Sequence, residues 1–206
     1  MKSSPRILLR EPSEAVLEDF LALARRSDFS YPERGATRQS EPAGYDHDRS
    51  GVRLGAGREV FERARAALER WAMFPPGWSR VHPRAVAPAV GGTVCVAFHV
   101  FGAWWLNAAR VVYRLDAEGS ERRAGFAYGT LTCHVERGEE CFSVVWERDD
   151  SVWYGLRAFS RPAFWPVRLA KPLARALQRR FVADSQAAML AAAALRSPAA
   201  STRAAE

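Results

Sequence analysis

The chain has 206 residues, of which 48% are hydrophobic and 26% charged, a balance that supports an ordinary globular core without disulfides or metal. The net charge is +7 and is carried almost wholly by arginine, so the charge alone does not indicate a nucleic-acid-binding protein. Three cysteines without CxxC spacing, Cys95, Cys133 and Cys141, argue against a disulfide framework or a zinc ribbon and predict a reducing, cytoplasmic location.

The N-terminal residues lack the apolar core of a signal peptide, and no apolar stretch reaches the roughly 18 residues that a membrane span requires. We therefore predict a single domain over residues 1–196 with no transmembrane segment. A disordered tail is expected at residues 197–206.

Two helices are predicted near the N-terminus. Ser13 can cap the first helix, in which apolar residues recur at helical spacing from Val16 to Ala24. The second carries an apolar stripe from Val60 to Trp71. Between them, the stretch from Tyr31 to Gly57 is polar and shows no clear period, so we interpret it as a functional loop or as mobile surface.

An alternating pattern follows Trp78 and predicts strands. Val94, Val96 and Phe98 alternate with smaller or more polar residues. The connections are of hairpin length, so the sheet is expected to be antiparallel. Further strands are predicted at about Trp104–Leu115, Arg123–Cys133, Glu139–Glu147 and Val152–Arg161.

A long helix is predicted after Pro162 and Pro166. Its apolar face comprises Ala170, Leu173, Ala174, Leu177, Phe181 and Ala188. A second face carries a basic stripe of Arg168, Lys171, Arg175 and Arg179, which we expect to point outward. The stripe is typical of a solvated surface, with anionic lipid headgroups and nucleic acid as the alternatives.

This order of elements predicts an α+β fold in which a curved antiparallel sheet of about six strands grips the long C-terminal helix, with two helices at the N-terminus. The order resembles the helix-grip fold of START and Bet v 1-like proteins. That resemblance implies an apolar cavity between sheet and helix.

Local motifs carry a second resemblance. They are Gly35–Arg38, Pro42–Tyr45, Arg53–Gly55, Phe61–Ala64, Met73–Pro75, Phe126–Leu131, His134, Glu136, Gly138–Glu140 and Phe159–Pro162. Together they resemble an uncharacterised bacterial and plant family, known as a domain of unknown function, over about residues 31–181. The resemblance implies no known activity and no catalytic residues.

A polar cluster around the predicted hairpin offers acid–base chemistry. Tyr128 and Thr130 share one face of a strand, and His134 and Glu136 lie in the turn that follows. An imidazole titrates near neutrality, and a carboxylate such as Glu136 or Glu140 can orient it, so this cluster is the candidate catalytic group. The alternative is a solvated hairpin end with surface carboxylates.

The candidate ligand-binding residues are those that a sheet–helix cavity with a lid would bring together: Tyr31, Arg38, Tyr45, Trp105, Tyr128, Thr130, Arg161, Leu173 and Leu177. The rings and cations between Tyr31 and Tyr45 suit either a lid or a solvated loop. Arg161 can hold an anionic ligand group, or it can pair with Glu139 or Glu140, which start the return strand on opposite faces.

Neither a metal nor a cofactor is expected. Gly55-Ala56-Gly57 is a turn before a helix, because Val60 stands where a dinucleotide fingerprint needs its third glycine. His47 lies between Asp46 and Asp48, but adjacent residues rarely point at one ion.

The sequence therefore favours a non-enzymatic protein that binds a small apolar or amphipathic ligand between the sheet and the C-terminal helix. One alternative is an enzyme that uses His134, Glu140 and Tyr128. The other is a protein that binds nucleic acid or a membrane surface through its basic charge.

Overall fold

The computed structural model describes residues 5–115 and 122–194, and the tail predicted at residues 197–206 lies outside these ranges. The described residues form eight strands and four α-helices. In chain order these are β1 (Arg6–Leu8), α1 (Glu14–Arg25), β2 (Asp46–Ala56), α2 (Arg58–Glu69), β3 (Ser79–His82), β4 (Thr93–Val100), β5 (Ala103–Leu115), β6 (Arg123–Thr130), β7 (Glu136–Trp146), β8 (Ser151–Pro162), α3 (Trp165–Leu169) and α4 (Lys171–Ala194).

All strands belong to one antiparallel sheet. The strand order is β2-β8-β7-β6-β5-β4-β3, and β1 pairs with the beginning of β5. The predicted α+β layout, with a curved antiparallel sheet around a long C-terminal helix, is confirmed. The sheet has eight strands within the described ranges where about six were expected, because β1, β2 and β3 were not recognised as separate strands.

The inner face of the sheet is packed solidly at one end. There, α4 from Phe181 onward buries Phe181, Met189 and Ala193 against the sheet and α2. The hydroxyl of Ser185 lies 2.7 Å from that of Tyr154, which satisfies two polar groups inside this core. This packing fixes the C-terminal half of α4 against the inner face.

The first half of α4 does not pack closely on the sheet. Leu173 is 45% exposed, and Leu177 is only partly buried. Both side chains were predicted to face the sheet, and both border a cavity there. The helix therefore closes one side of an open space at this end of the sheet.

The outer face of the sheet is covered by α1. Leu17, Phe20 and Leu21 are buried there against a separate apolar cluster that includes Leu106 and Leu131. Ser13 caps this helix by accepting a hydrogen bond from the Val16 amide at 3.4 Å. The first helix thus stabilises the sheet from the side opposite to α4.

The stretch from Tyr31 to Gly57 is not the long loop that the sequence suggested. Its second half forms β2, an edge strand that pairs with β8 over its whole length. The prediction missed β2 because only Val52 and Leu54 among its inward residues are apolar. Gly55 and Ala56, which were predicted as part of a turn, are the last residues of β2, and α2 begins directly after Gly57.

The basic stripe also differs from the prediction. Arg175 turns inward and is half-buried, and its guanidinium binds both carboxylate oxygens of Asp48 at 2.7 Å. Lys171 pairs with Asp46 at 2.9 Å. Carboxylates on the edge strand β2 thus draw two of the four cations toward the sheet.

Candidate functional site

A cavity of about 370 Å³ lies between the inner face of the sheet and the first half of α4. One wall is apolar and comes from β4, β5 and the helix. It includes Trp78, Phe98, Val100, Phe101, Trp105, Leu173, Leu177, Phe181 and Val182. The ring centroids of Trp78 and Phe98 are 5.3 Å apart, and Phe98 meets Phe181 edge-on at 6.0 Å. This wall suits an aromatic or aliphatic group.

The opposite wall is polar and comes from neighbouring strands. Tyr128 is directly opposite Glu140 in the sheet, Glu140 is opposite Ala158, and Ala158 is opposite Asp48. Directly paired residues point to the same face, so this row projects two carboxylates and a phenol toward the helix. The turn between β6 and β7 adds His134 beside the row.

Tyr128 and Glu140 form one hydrogen-bonded pair. The Tyr128 hydroxyl donates to Glu140 Oε2 at 2.6 Å. The pKa of Glu140 is raised to about 7, mainly by burial; the hydrogen bond from Tyr128 lowers it, and the nearby Glu136 and Asp48 raise it. Burial also raises the pKa of Tyr128 well above its ordinary value. Glu140 can therefore gain or lose a proton near neutral pH.

His134 and Glu136 are linked through the backbone. The Glu136 amide donates to His134 Nδ1 at 2.9 Å, which leaves the proton of a neutral imidazole on Nε2. Burial lowers the pKa of His134 to about 4, so the ring is neutral at physiological pH. No residue in the described ranges accepts a hydrogen bond from Nε2. The ring thus offers one donor to the cavity that it lines.

Glu136 is held by α4. Gln178 Nε2 donates to Glu136 Oε1 at 2.8 Å and to the Ser160 hydroxyl at 3.2 Å. Burial raises the pKa of Glu136, and the bonds from Gln178 and Ser160 lower it. Gln178 also accepts a hydrogen bond from Arg175 at 2.8 Å, so the helix ties Glu136 to the Asp48–Arg175 ion pair.

The four candidate catalytic residues, Tyr128, His134, Glu136 and Glu140, all line this cavity. Of the nine candidate ligand-binding residues, those bordering the same cavity are Trp105, Tyr128, Thr130, Leu173 and Leu177. The remaining four, which are Tyr31, Arg38, Tyr45 and Arg161, are not among its lining residues.

Tyr31, Arg38 and Tyr45 lie on the outer face of the sheet. There the carboxylate of Glu139 is buried and accepts hydrogen bonds from the Tyr31 hydroxyl and the Gly35 amide at 2.7 Å each, and from the amide and hydroxyl of Thr37. The segment before β2 is therefore fixed to the face opposite the cavity.

Two contacts explain how closely the segment before β2 packs on the outer face, one with Gly129 and one with the Tyr113 ring. A side chain at Gly129 would collide with the Tyr31 ring and its phenol oxygen, so only glycine leaves room for the ring there. Arg38 stacks on the Tyr113 ring, with its guanidinium carbon 3.8 Å from the centroid.

Arg161 does not pair with Glu139 or Glu140. Its guanidinium carbon stands 4.6 Å from the centroid of the Tyr45 ring, and the residue is exposed. Over the described part of the chain, the structure brings neither Arg161 nor another arginine or lysine into the cavity lining.

Asp48, Ser160 and Gln178 belong to the polar wall but were not predicted. The sequence could have indicated Gln178, because it is a polar residue on the otherwise apolar helix face formed by Ala174, Leu177 and Phe181. The sequence signal for Asp48 is weaker: Asp48 has the same strand parity as the apolar residues Val52 and Leu54, which places the three on one face of β2.

The described ranges contain no group of three or more histidine, cysteine or acidic side chains placed to hold a metal ion. His47 Nε2 lies 3.0 Å from the Pro42 carbonyl, while Asp46 and Asp48 pair with cations of α4. Among the described helices, none is long and apolar enough to cross a membrane.

Comparison with known sequences identifies relatives over most of the chain. A family described as a domain of unknown function, DUF1990, matches residues 30–188. A UPF0548 protein of Dictyostelium discoideum is 33% identical over 202 residues, covering 89% of this chain and 94% of the relative. A UPF0548 protein of Deinococcus radiodurans is 39% identical over 186 residues, covering 84% and 91%.

Solved structures are similar in fold. The hypothetical protein jhp0584 of Helicobacter pylori superposes with a TM-score of 0.51 at 14% identity, covering 80% of this chain and 95% of the other. The Zhui aromatase/cyclase of Streptomyces sp. R1128 also gives 0.51, at 17% identity and with 72% and 93% covered. At these identities the likeness extends to the fold alone.

Proposed function

The chain belongs to the DUF1990 family, and we propose that it binds a small, largely apolar ligand with a polar end in the cavity between the sheet and α4. The observation that carries this proposal is the cavity's division into two walls. Rings and aliphatic side chains form one wall, and Tyr128, His134, Glu136 and Glu140 form the other. An amphipathic molecule satisfies both walls at once.

The cavity has a mouth at which apolar side chains remain accessible. Phe101 is 68% exposed and Leu173 45% exposed, although both line the cavity. Trp165 and Leu169 of the neighbouring α3 are also exposed. An apolar ligand can enter past these side chains, and they also suit peripheral contact with a membrane during uptake.

The cellular location belongs to the same proposal. Cys95, Cys133 and Cys141 are buried and form no disulfide, and burial raises the pKa of the Cys95 thiol to about 12. Buried cysteines that form no disulfide suit a reducing compartment, so we propose a cytoplasmic location.

The experiment uses prodan, a neutral fluorescent naphthalene whose emission shifts to shorter wavelength in an apolar site. The wild-type protein is expected to bind it with a saturable blue shift. Leu177→Trp adds a large ring to the lining of the cavity and should weaken binding by about tenfold or more.

Leu190→Trp is the matched control, because it makes the same substitution on the same helix at an exposed position outside the cavity lining. It should leave the affinity for prodan unchanged. Absence of saturable binding to the wild type, or equal binding by both tryptophan variants, would contradict the proposal.

Proton transfer to or from the bound ligand is a second candidate function. It is favoured by one observation, which is that Glu140 titrates near neutrality beside a phenol and an imidazole in the same cavity. A screen of naphthyl esters, ketones and imines against wild type, Glu140→Gln and His134→Ala tests it. Turnover that is lost in Glu140→Gln while prodan binding persists would support catalysis, and turnover that survives both variants would exclude it.

A further inference from the structure

The charge of the cavity lining indicates which kind of polar end the ligand carries. Asp48, Glu136 and Glu140 line the space, and of the described residues no arginine or lysine does so. Glu139 also borders it, but the Glu139 carboxylate is bound on the outer face by Tyr31 and residues of the following turn. The polar wall of the cavity is therefore acidic.

Of the three carboxylates of Asp48, Glu136 and Glu140, Arg175 is hydrogen-bonded only to that of Asp48. It binds Asp48 through two hydrogen bonds of 2.7 Å, and the geometry of that pair leaves Asp48 neutralised. Glu136 receives a bond from the neutral amide of Gln178, and Glu140 receives one from the neutral phenol of Tyr128. The charge of Arg175 also acts on Glu136 through space, but neither Glu136 nor Glu140 is hydrogen-bonded to a cation in the described ranges.

Glu140 has hydrogen-bonding capacity to spare. Tyr128 occupies Oε2, while Oε1 has no partner among the residues that the structure describes. Oε1 is not among the buried polar atoms that lack a partner, so it retains accessible surface, and the residue lines the cavity. A donor on a bound ligand can reach this oxygen.

The opposite wall suits the remainder of such a ligand. The rings of Trp78, Phe98 and Phe181 pack against one another at centroid separations between 5.3 and 6.4 Å. These rings accept an apolar or aromatic body, and their faces also tolerate a nearby cation. Nothing in this wall offers a charge that would bind an anion.

Resting on the proposed function, we infer that the ligand of this cavity is an amphipathic amine, whose ammonium group binds Glu140 and is supported by the charge of Glu136. An ammonium supplies the cation that the two carboxylates lack, and a carboxylate ligand would add a third unpaired negative charge. Hydrogen bonds between a charged donor and a carboxylate are about twice as strong as neutral ones.

A displacement experiment with one apolar body and three polar ends tests this inference. Naphthylethylamine, naphthylethanol and naphthylacetate compete with prodan for the wild-type protein at about pH 8, where Glu140 is ionised. The amine is expected to displace prodan at a concentration about tenfold lower than the alcohol, and the acetate at a concentration about tenfold higher.

Two variants that each remove one carboxylate test whether the preference for the amine depends on Glu140. Glu140→Gln should reduce the preference for amine over alcohol to about threefold or less while prodan still binds. Glu41→Gln is the control, because this exposed carboxylate pairs with Arg49 outside the cavity lining, and it should keep the full preference.

The possible failures are distinguishable. If prodan binds but the alcohol competes as well as the amine, or if the preference survives in Glu140→Gln, the amine inference is overturned and the binding proposal stands. If the wild type does not bind prodan at all, both are overturned.

Discussion

Burial and hydrogen bonding act on the Glu140 carboxyl in opposite directions. Burial raises its pKa from 4.5 to about 7, although Tyr128 donates a hydrogen bond that favours the ionised form. Between about pH 4.5 and 7 the folded protein therefore holds a proton that the unfolded chain has lost. Stability contributed by this group is present at low pH and is lost as the pH rises through that window.

Glu140→Gln removes this dependence, because glutamine keeps an acceptor for Tyr128 and does not ionise. Relative to wild type, the free energy of unfolding of the variant is expected to be about 3 kcal/mol more favourable to the folded state at about pH 8 than at about pH 4, since one pKa unit corresponds to about 1.4 kcal/mol. Urea unfolding at both pH values measures the difference. Glu62→Gln, which alters an exposed ion pair with Arg65, should show no such dependence. If the free energy of unfolding of wild type and of Glu140→Gln depended equally on pH, the raised pKa assigned to Glu140 would be refuted.

Tyr128→Phe tests the other side of the pair. Removing the hydroxyl takes away a hydrogen bond that lowers the pKa of Glu140, so that pKa is expected to rise further above about 7. The pKa of Glu140 is measured from the NMR chemical shift of its carboxyl carbon across a pH titration. Tyr45→Phe provides the control, because Tyr45 bonds to Glu33 on the outer face. A fall in the pKa of Glu140 in Tyr128→Phe would contradict this geometry.

The sequence identified the chemistry of individual residues better than their positions. It grouped Tyr128, His134, Glu136 and Glu140, because strand parity and a short turn place them together, and the four line one cavity. It could not decide which face of a strand points inward. Tyr31 and its neighbours, for which the sequence left both a lid and a solvated loop open, lie on the outer face, where a long-range contact with the Glu139 carboxylate of β7 holds them.

At the scale of elements, Glu139 attaches the segment before β2 to the sheet. Its two oxygens accept bonds from Tyr31, Gly35 and Thr37, and the side chain is almost fully buried. A single carboxylate thus replaces the backbone pairing that a strand would provide for this segment. The segment carries few large apolar residues, so these bonds provide much of its attachment.

Glu139→Gln should destabilise the fold by about 2 to 3 kcal/mol. Glutamine offers one oxygen and one amide nitrogen, so two of the donors from Tyr31, Gly35 and Thr37 would face another donor inside a buried site. Urea unfolding measures the loss, and hydrogen exchange should increase first at Gly35 and Thr37. A variant as stable as wild type, with unchanged exchange in this segment, would show that the carboxylate is not the attachment.

Elements with strong periodicity were predicted and elements with weak periodicity were not. Helices α1 and α2 and strands β4 to β8 follow apolar patterns that the sequence shows directly. Strand β2 escaped detection, since its inward residues at the cavity are acidic and their partners lie on α4 more than 100 residues away. A local pattern cannot report a polar contact between distant segments.

For the whole molecule, the two halves of α4 have different roles. From Phe181 onward the helix closes the core through Phe181, Met189 and Ala193, and so fixes the angle at which it leaves the sheet. Its first half stands over the cavity, with Leu173, Leu177 and Gln178 among the lining residues. A packed anchor beside an open space is consistent with the proposed binding of a ligand without reorganisation of the core.

Methyl NMR of the protein with and without prodan tests the central claim most directly. If the ligand occupies the space between α4 and the inner face of the sheet, the methyl signals of Leu156, Leu177 and Val182 should shift with prodan concentration. Those of Leu17 and Leu21, which α1 buries on the outer face, should stay in place. Saturable shifts confined to the outer-face methyls, or no shifts at any of these positions, would contradict the assignment of this cavity as the ligand site.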